Sequence, residues 1–209
     1  MIEVENISVY NIARAVYSAR NAMNSWDKSD SDFKKDTLGP ADLDLAKRLY
    51  KGGSEHRKFL RQIFVTMDIT APIYWISEMD TYKVGTTRNS CSFMHKGLSK
   101  PFELSDFSRH ATEETLPVLY KPYEVIIDTL NKLRDMYLET KDPQIFQQIR
   151  DLLPSGYNLR FTLTLNYENV ANILKQRSNH RLQEWREFCD ILRTLPYVKE
   201  IMEDEDGNS

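Results

Sequence analysis

Arg160, Asn166 and Arg177 are the residues of this chain whose types and spacing best suit chemistry, because a strand pattern changes into a helix pattern between them. From Arg160 to Asn166 the apolar residues Phe161, Leu163 and Leu165 alternate, which predicts a half-buried strand whose other face carries Arg160, Thr162, Thr164 and Asn166. Beyond Asn166, Val170, Ile173, Leu174 and Arg177 fall on one helix face, so Arg177 is expected on the buried stripe. A guanidinium there is costly unless something anionic or well hydrogen-bonded meets it, and a phosphate matches its planar fork. An internal pair with Glu168 or Glu184 is the structural alternative. Two arginines and an asparagine converging on one strand–helix junction favour an anion site.

Cys91 sits between Ser90 and Ser92, and a nucleophilic role would require a cation, a histidine or a helix N-terminus beside it. Lys83 and His95 are near in sequence only, so a small loop residue is the simpler expectation. Cys189 shares a helical face with Leu182, Trp185 and Leu192, which predicts core packing. His56 is the histidine most worth testing, while His110 and His180 read as surface or capping residues. No set of histidines and carboxylates has metal-site spacing, so no metal is assigned.

Around these residues the sequence predicts a strand near 2–7, a helix through about Arg20, a polar loop over 21–40 most solvated at 26–32, and a helix over 41–51 closed by Gly52-Gly53. Residues 64–75 read as a strand running into a helix with Pro72 near its first turn. Amphipathic helices are expected over 122–137 (Val125, Ile126, Leu130, Leu133, Met136, Tyr137) and 143–153 (Ile145, Phe146, Ile149, Leu152).

The chain has 209 residues, 41% hydrophobic and 28% charged, enough for one compact domain with a sizeable core. A net charge of -3 argues against a nucleic-acid polymer as partner. No apolar run approaches a membrane span, and the N-terminus lacks the basic start of a signal peptide, so a cytoplasmic location is expected. Two cysteines are too few for a disulfide framework.

Leu153-Pro154, Arg160, Asn166, Arg177 and Gln183-Glu184-Trp185 resemble the C-terminal part of the flavin-dependent thymidylate synthases, the thymidylate synthase complementing protein family. There a Leu-Pro run leads into a strand, an asparagine, and an Arg followed by His-Ala-Gln-Trp-Glu. Here the stretch from Arg177 through His180 to Trp185 has one extra residue and a different order. Upstream, Ala71-Pro72 between strand and helix is similar to the same family. Its signature, Arg-His-Arg followed by Ser, Asn, Ser, Arg and Tyr, aligns with Thr81, Tyr82 and Lys83 and then a rewritten segment. Arg88 takes the Asn position, Cys91 the second Ser, and Phe93 the Arg that would hold substrate phosphate. Where the family shows Glu-His before the strand, this chain has Arg61 and Gln62, with Glu55-His56 slightly earlier.

The resemblance implies an α+β single domain over 1–202, with a mixed or antiparallel sheet and flanking helices; the acidic composition of 203–209 predicts a disordered tail. It implies FAD, a pyrimidine nucleotide as substrate, methylene-tetrahydrofolate and NADPH as cosubstrates, methylation or hydroxymethylation at C5, and a homotetramer. On it, Arg177 is catalytic; Lys83, Thr86, Arg88 and Asn166 hold the flavin; and Arg160, Arg177, Cys91 and Ser92 bind the nucleotide. The altered signature leaves a second reading open, a non-catalytic nucleotide-binding or scaffold relative that has lost the flavin site.

Overall fold

The computed structural model describes residues 2–91, 93, 97–110, 114, 116, 118 and 120–203. Four strands, β1 (Glu3–Tyr10), β2 (Phe64–Pro72), β3 (Thr87–Ser90) and β4 (Asn158–Asn166), pair in the order β1-β2-β4-β3. In the two central strands alternation does the work: Val65, Met67, Ile69 and Ala71 are buried on β2, and Phe161, Leu163 and Leu165 on β4. The intervening residues meet across the ladder. Thr66 Oγ1 lies 3.1 Å from Thr164 Oγ1, and the Thr162 hydroxyl donates to Asp68 at 2.6 Å, so β2 and β4 run antiparallel. β3 has no apolar alternation and all four residues are exposed, which is why periodicity does not reveal it.

The helices are α1 (Ile12–Ala19), α2 (Pro40–Lys51), α3 (Ile73–Met79), α4 (Tyr120–Thr140), α5 (Pro143–Leu152), α6 (Tyr167–Arg177), α7 (Gln183–Arg193) and α8 (Val198–Met202). Residues 1–3, 69–80 and 89–161 form one compact unit, and 4–68, 81–88 and 162–209 a second.

The first unit is built on an aromatic core. Phe93, Leu98, Phe102, Phe107, Leu130 and Ile149 are buried together, with Ile126, Leu133, Tyr137, Ile145, Phe146 and Tyr157 packed against them. The buried stripe of α4 is narrower than its sequence pattern suggests. Ile126, Leu130, Leu133 and Tyr137 follow i, i+4, i+7, i+11 onto the core, whereas Val125 and Met136 lie off that stripe and are exposed.

The second unit centres on Trp185, Phe188, Cys189 and Leu192 of α7, with Val170, Ile173 and Leu174 of α6, all at most 2% exposed. Cys189 is a core residue as expected, and burial raises its thiol pKa.

The segment 21–40 differs from a solvated loop because its carboxylates satisfy helix ends. Asp36 accepts from the N–H groups of Ile12 and Ala13 at 3.0 and 2.8 Å, capping α1. Asp30 accepts from those of Ala41 and Asp42 at 2.8 and 3.0 Å, capping α2. Gly39 lies so close to Asp30 that a Cβ would overlap its carboxyl carbon and carbonyl oxygen. Beneath, Arg20 and Asp42 form a buried ion pair (6% and 0% exposed), and the hydroxyls of Ser29 and Ser31 donate to the same carboxylate at 2.6 and 2.5 Å. Burial opposes ionisation of Asp42, but these hydroxyls and the Arg20 guanidinium outweigh it and hold the carboxyl below its ordinary value.

No helix among the described residues is long and apolar enough to cross a membrane, and no metal-sized cluster of His, Cys, Asp and Glu occurs among them. At the end of the chain Glu203 accepts from Arg193 Nε at 2.8 Å; residues 204–209 lie outside the described residues.

Candidate functional site

Helix α6 in the second unit positions the strongest cluster. Its N-cap is Asn166, in extended backbone, whose Oδ1 accepts from Asn169 N–H at 3.0 Å. The segment 81–88 is fastened to this helix at both ends. Near the N-terminus, Asn169 Nδ2 donates to Val84 O at 2.9 Å, and Gly85, at φ +78, leaves no room for a Cβ against Asn166 Nδ2. Near the C-terminus, the Tyr82 hydroxyl donates to Gln176 Oε1 at 2.8 Å. Thr86 closes the turn between them, its hydroxyl donating to Tyr82 O.

Arg177, the last residue of α6, is half-buried. Its Nε donates to the Tyr82 hydroxyl at 3.1 Å, and its guanidinium carbon lies 4.7 Å from the Trp185 ring centroid and 5.8 Å from that of Tyr82. Arg177 Nη1 is 2.9 Å from His180 Nε2, and Leu182 N–H donates to His180 Nδ1 at 3.2 Å. A neutral imidazole has one acceptor nitrogen, so its lone pair serves either Arg177 or Leu182, and a protonated ring would accept from neither. Tyr82 thus takes the place expected of a cationic or histidine group and becomes an anchor for Arg177.

The expected meeting of Asn166 with Arg177 is corrected in this geometry. Asn166 and Arg177 belong to opposite ends of one helix in the second unit, and Asn166 Oδ1 is committed to the cap. Arg160 belongs to the first unit, is exposed, and lines a cavity of about 400 Å³ with Arg109, Ser105, Ser108 and Asn158 among others. Its carbonyl accepts from the N–H of Cys91, an exposed residue, at 2.9 Å. Of the proposed partners for Arg177, Glu168 is taken in a bidentate pair by Arg61. Lys83 and Arg88 are exposed. His56 is exposed, 3.9 Å from Glu55. Ser92 and His95 lie outside the described residues. Phe93, which the resemblance sets against a phosphate-binding Arg, is 8% exposed within the aromatic core.

Sequence reasoning missed the roles of Tyr82, His180 and Asn169. The Asn166-x-x-Asn169 spacing carried a detectable capping signal. Nothing local pairs Tyr82 with Arg177, because the contact joins residues 95 positions apart.

The profile of the family described as Thymidylate synthase complementing protein matches residues 3–200. Among solved structures, Thymidylate Synthase X (ThyX) from Helicobacter pylori with FAD and dUMP superposes at a TM-score of 0.70 and 18% identity, covering 98% of this chain and 98% of that one. The UMP/dUMP methylase PolB from Streptomyces cacaoi, bound with 5-Br dUMP, superposes at 0.66 and 16% identity, covering 97% and 91%. Likeness at these identities establishes the fold, a four-stranded sheet with flanking helices. A comparison with curated proteins finds no match.

Proposed function

Because the chain belongs to the thymidylate synthase complementing protein family across residues 3–200, we propose that it is a flavin-dependent, thymidylate synthase-like enzyme that transfers a one-carbon group to C5 of a pyrimidine deoxynucleotide monophosphate. The observation that carries this reading is the Arg177 cluster. A guanidinium fixed at a helix end by Tyr82, His180 and Trp185 is pre-oriented to meet an anion or a pyrimidine carbonyl.

The residues fit a phosphate-bearing cofactor. Lys83 and Arg88 are exposed cations flanking Gly85, whose missing side chain lets Asn166 pack against the backbone of the segment. Asn169 Oδ1 is buried beside them with no hydrogen-bond partner among the described residues. Lys83, Thr86 and Arg88 would hold the cofactor phosphates, and Asn166, as cap and packing partner of Gly85, would set the position of the segment that bears them. A bound flavin would supply the reducing equivalents. Arg177 binds and polarises the nucleotide on this reading, and Arg160, Cys91 and Ser92 contact it. The one-carbon donor is methylene-tetrahydrofolate, the reductant NADPH, the assembly a homotetramer and the compartment the cytoplasm.

The contact between Tyr82 and Arg177 supports a second reading, a non-catalytic nucleotide-binding relative, since it spends an Arg177 donor on the protein itself. Incubation with FAD followed by gel filtration separates the two. Co-elution of protein with oxidised-flavin absorbance, and dUMP-dependent turnover with methylene-tetrahydrofolate and NADPH, is the expected result. A colourless protein that still binds dUMP would establish the non-catalytic reading.

A further inference from the structure

Between Lys47 and Arg61 the chain carries six lysines and arginines and one acid, Glu55, in a protein whose net charge is -3. Apolar anchors turn that run into a surface. Ala46 of α2 is fully buried, and Phe59 and Leu60, at 2% and 0% exposure, pin the 3₁₀ segment Ser54–Gln62. Arg48, Lys51, Lys58 and Arg61 are left exposed, and Lys47 and Arg57 half-buried. Arg57 joins the two elements. Its guanidinium carbon lies 4.0 Å from the Tyr50 ring centroid and its Nε donates to Tyr50 O at 2.8 Å, which holds the fork against the end of α2.

Arg48 pairs with Asp44 at 2.9 Å and Arg61 with Glu168, whereas Lys47, Arg57 and Lys58 make no ion pair among the described residues. Glu55, 3.9 Å from His56, is outnumbered by those three cations, so the patch is locally positive on an acidic protein. The run ends against the candidate site. Arg61 and Glu168 tie it to the first turn of α6, and Tyr167 N–H donates to Ile63 O at 3.0 Å. Asn166, Asn169 and the Gly85 turn lie at that same end of α6. A ligand seated there with a flexible anionic extension would lead it over these cations. Methylene-tetrahydrofolate ends in a glutamate, and its γ-glutamyl-extended forms add one carboxylate per residue. Carboxylates spaced along a flexible chain suit cations spread over a surface, since each exposed pair is weak and the number of pairs supplies the affinity.

Resting on the one-carbon-transfer reading above, we propose that Lys47, Arg57 and Lys58 bind the γ-glutamyl tail of the folate cosubstrate. Arg57 is the fixed fork, and the two lysines are point charges on flexible stems that follow the tail. This surface reads tail length and leaves the one-carbon unit to the site beside α6.

The test is calorimetric titration of the full chain, with FAD present, for the wild type and the Lys47→Gln/Lys58→Gln variant. The ligands are tetrahydrofolate monoglutamate, tetrahydrofolate pentaglutamate, free penta-γ-glutamate and a single-stranded oligonucleotide. At low salt the wild type is expected to bind the pentaglutamate about 10-fold more tightly than the monoglutamate, and the advantage should shrink to about 2-fold as salt is raised. The variant should lose most of that advantage and melt with the wild type, because neither lysine makes an ion pair within the fold among the described residues. Lysine-dependent binding of free penta-γ-glutamate by a protein that ignores both folates would support the tail site while removing the one-carbon-transfer reading. Equal affinity for the two folates, unchanged in the variant, would overturn the tail site and leave that reading standing. Lysine-dependent binding of the oligonucleotide more tightly than penta-γ-glutamate would overturn it in favour of a nucleic-acid backbone. A wild type that binds none of the four would overturn it as well.

Discussion

A guanidinium ringed by two aromatic residues and a histidine can be a structural knot or a ligand contact, and single atoms distinguish the two. Tyr82→Phe keeps the ring beside Trp185 but removes the hydroxyl that accepts from Arg177 and donates to Gln176. A loss of about 1 kcal/mol is expected from urea unfolding. If Arg177 meets the nucleotide, affinity for deoxyuridine monophosphate should also fall, because the guanidinium loses its orientation. Unchanged affinity together with lowered stability would mark Arg177 as structural. At the other end of α6, Asn166→Ala should cost about 1 kcal/mol for the lost cap. Gly85→Ala should cost more, since it combines positive φ with overlap against Asn166 Nδ2. The double variant should be less destabilised than the two losses combined, because truncating Asn166 makes room for the new methyl group. Additive losses would show that backbone strain alone governs position 85. Asn166 and Arg177 were legible in the sequence because each sits where the apolar period changes. Tyr82 was not, because a side chain's choice of a partner across the fold leaves no local pattern.

At the scale of elements, α2, α4, α5, β2, β4 and α6 were readable because burial on one face imprints a period of 3.6 or 2 on the chain. The strand β3 and the segment 21–40 escaped that logic. β3 is an exposed edge with nothing apolar to bury, and the segment 21–40 has order that comes from carboxylates satisfying helix N–H groups. Its composition resembles that of a solvated loop because the same residue types serve both ends. The Arg20–Asp42 pair is the part of that device most exposed to test. Asp42→Asn would leave a buried guanidinium uncompensated, so a loss of about 3–5 kcal/mol is expected in chemical unfolding, along with release of Ser29 and Ser31. The folded carboxyl titrates below its unfolded value. Its contribution is therefore complete above the ordinary aspartate pKa of about 3.9 and disappears as pH falls through the folded value. Wild-type stability should drop steeply below about pH 4, and Asp42→Asn should flatten that limb of the curve. A variant with the wild-type acid limb would assign the effect to other carboxylates.

For the whole molecule, the fold is the family's while the resemblance sets Phe93 against an arginine of its signature, and Phe93 shows why fold and site can part. A fold is secured by many apolar contacts that tolerate exchange, whereas a site depends on particular groups at particular places. Once an arginine position becomes phenylalanine, neighbouring side chains can close over it. Here Phe93 packs with Phe102 and Phe146 at centroid distances of 6.4 and 6.3 Å and beneath the Arg150 guanidinium at 4.8 Å, and Gly97 has no room for a Cβ against its ring. An arginine introduced at this one position should therefore fail to supply phosphate binding. Phe93→Arg would bury a charge without a counterion beside a second cation and remove the aromatic partner of Arg150, at a cost of about 3–5 kcal/mol or more. Phe93→Ala, which leaves only a cavity, should cost about 3–5 kcal/mol and serves as the control for lost packing. Denaturant midpoints and deoxyuridine monophosphate titration of the two variants decide the matter. If Phe93→Arg were as stable as the wild type and bound the nucleotide more tightly, position 93 would belong to the site. Loss of stability without gain in affinity would mark position 93 of this chain as part of the aromatic core and not of an anion site.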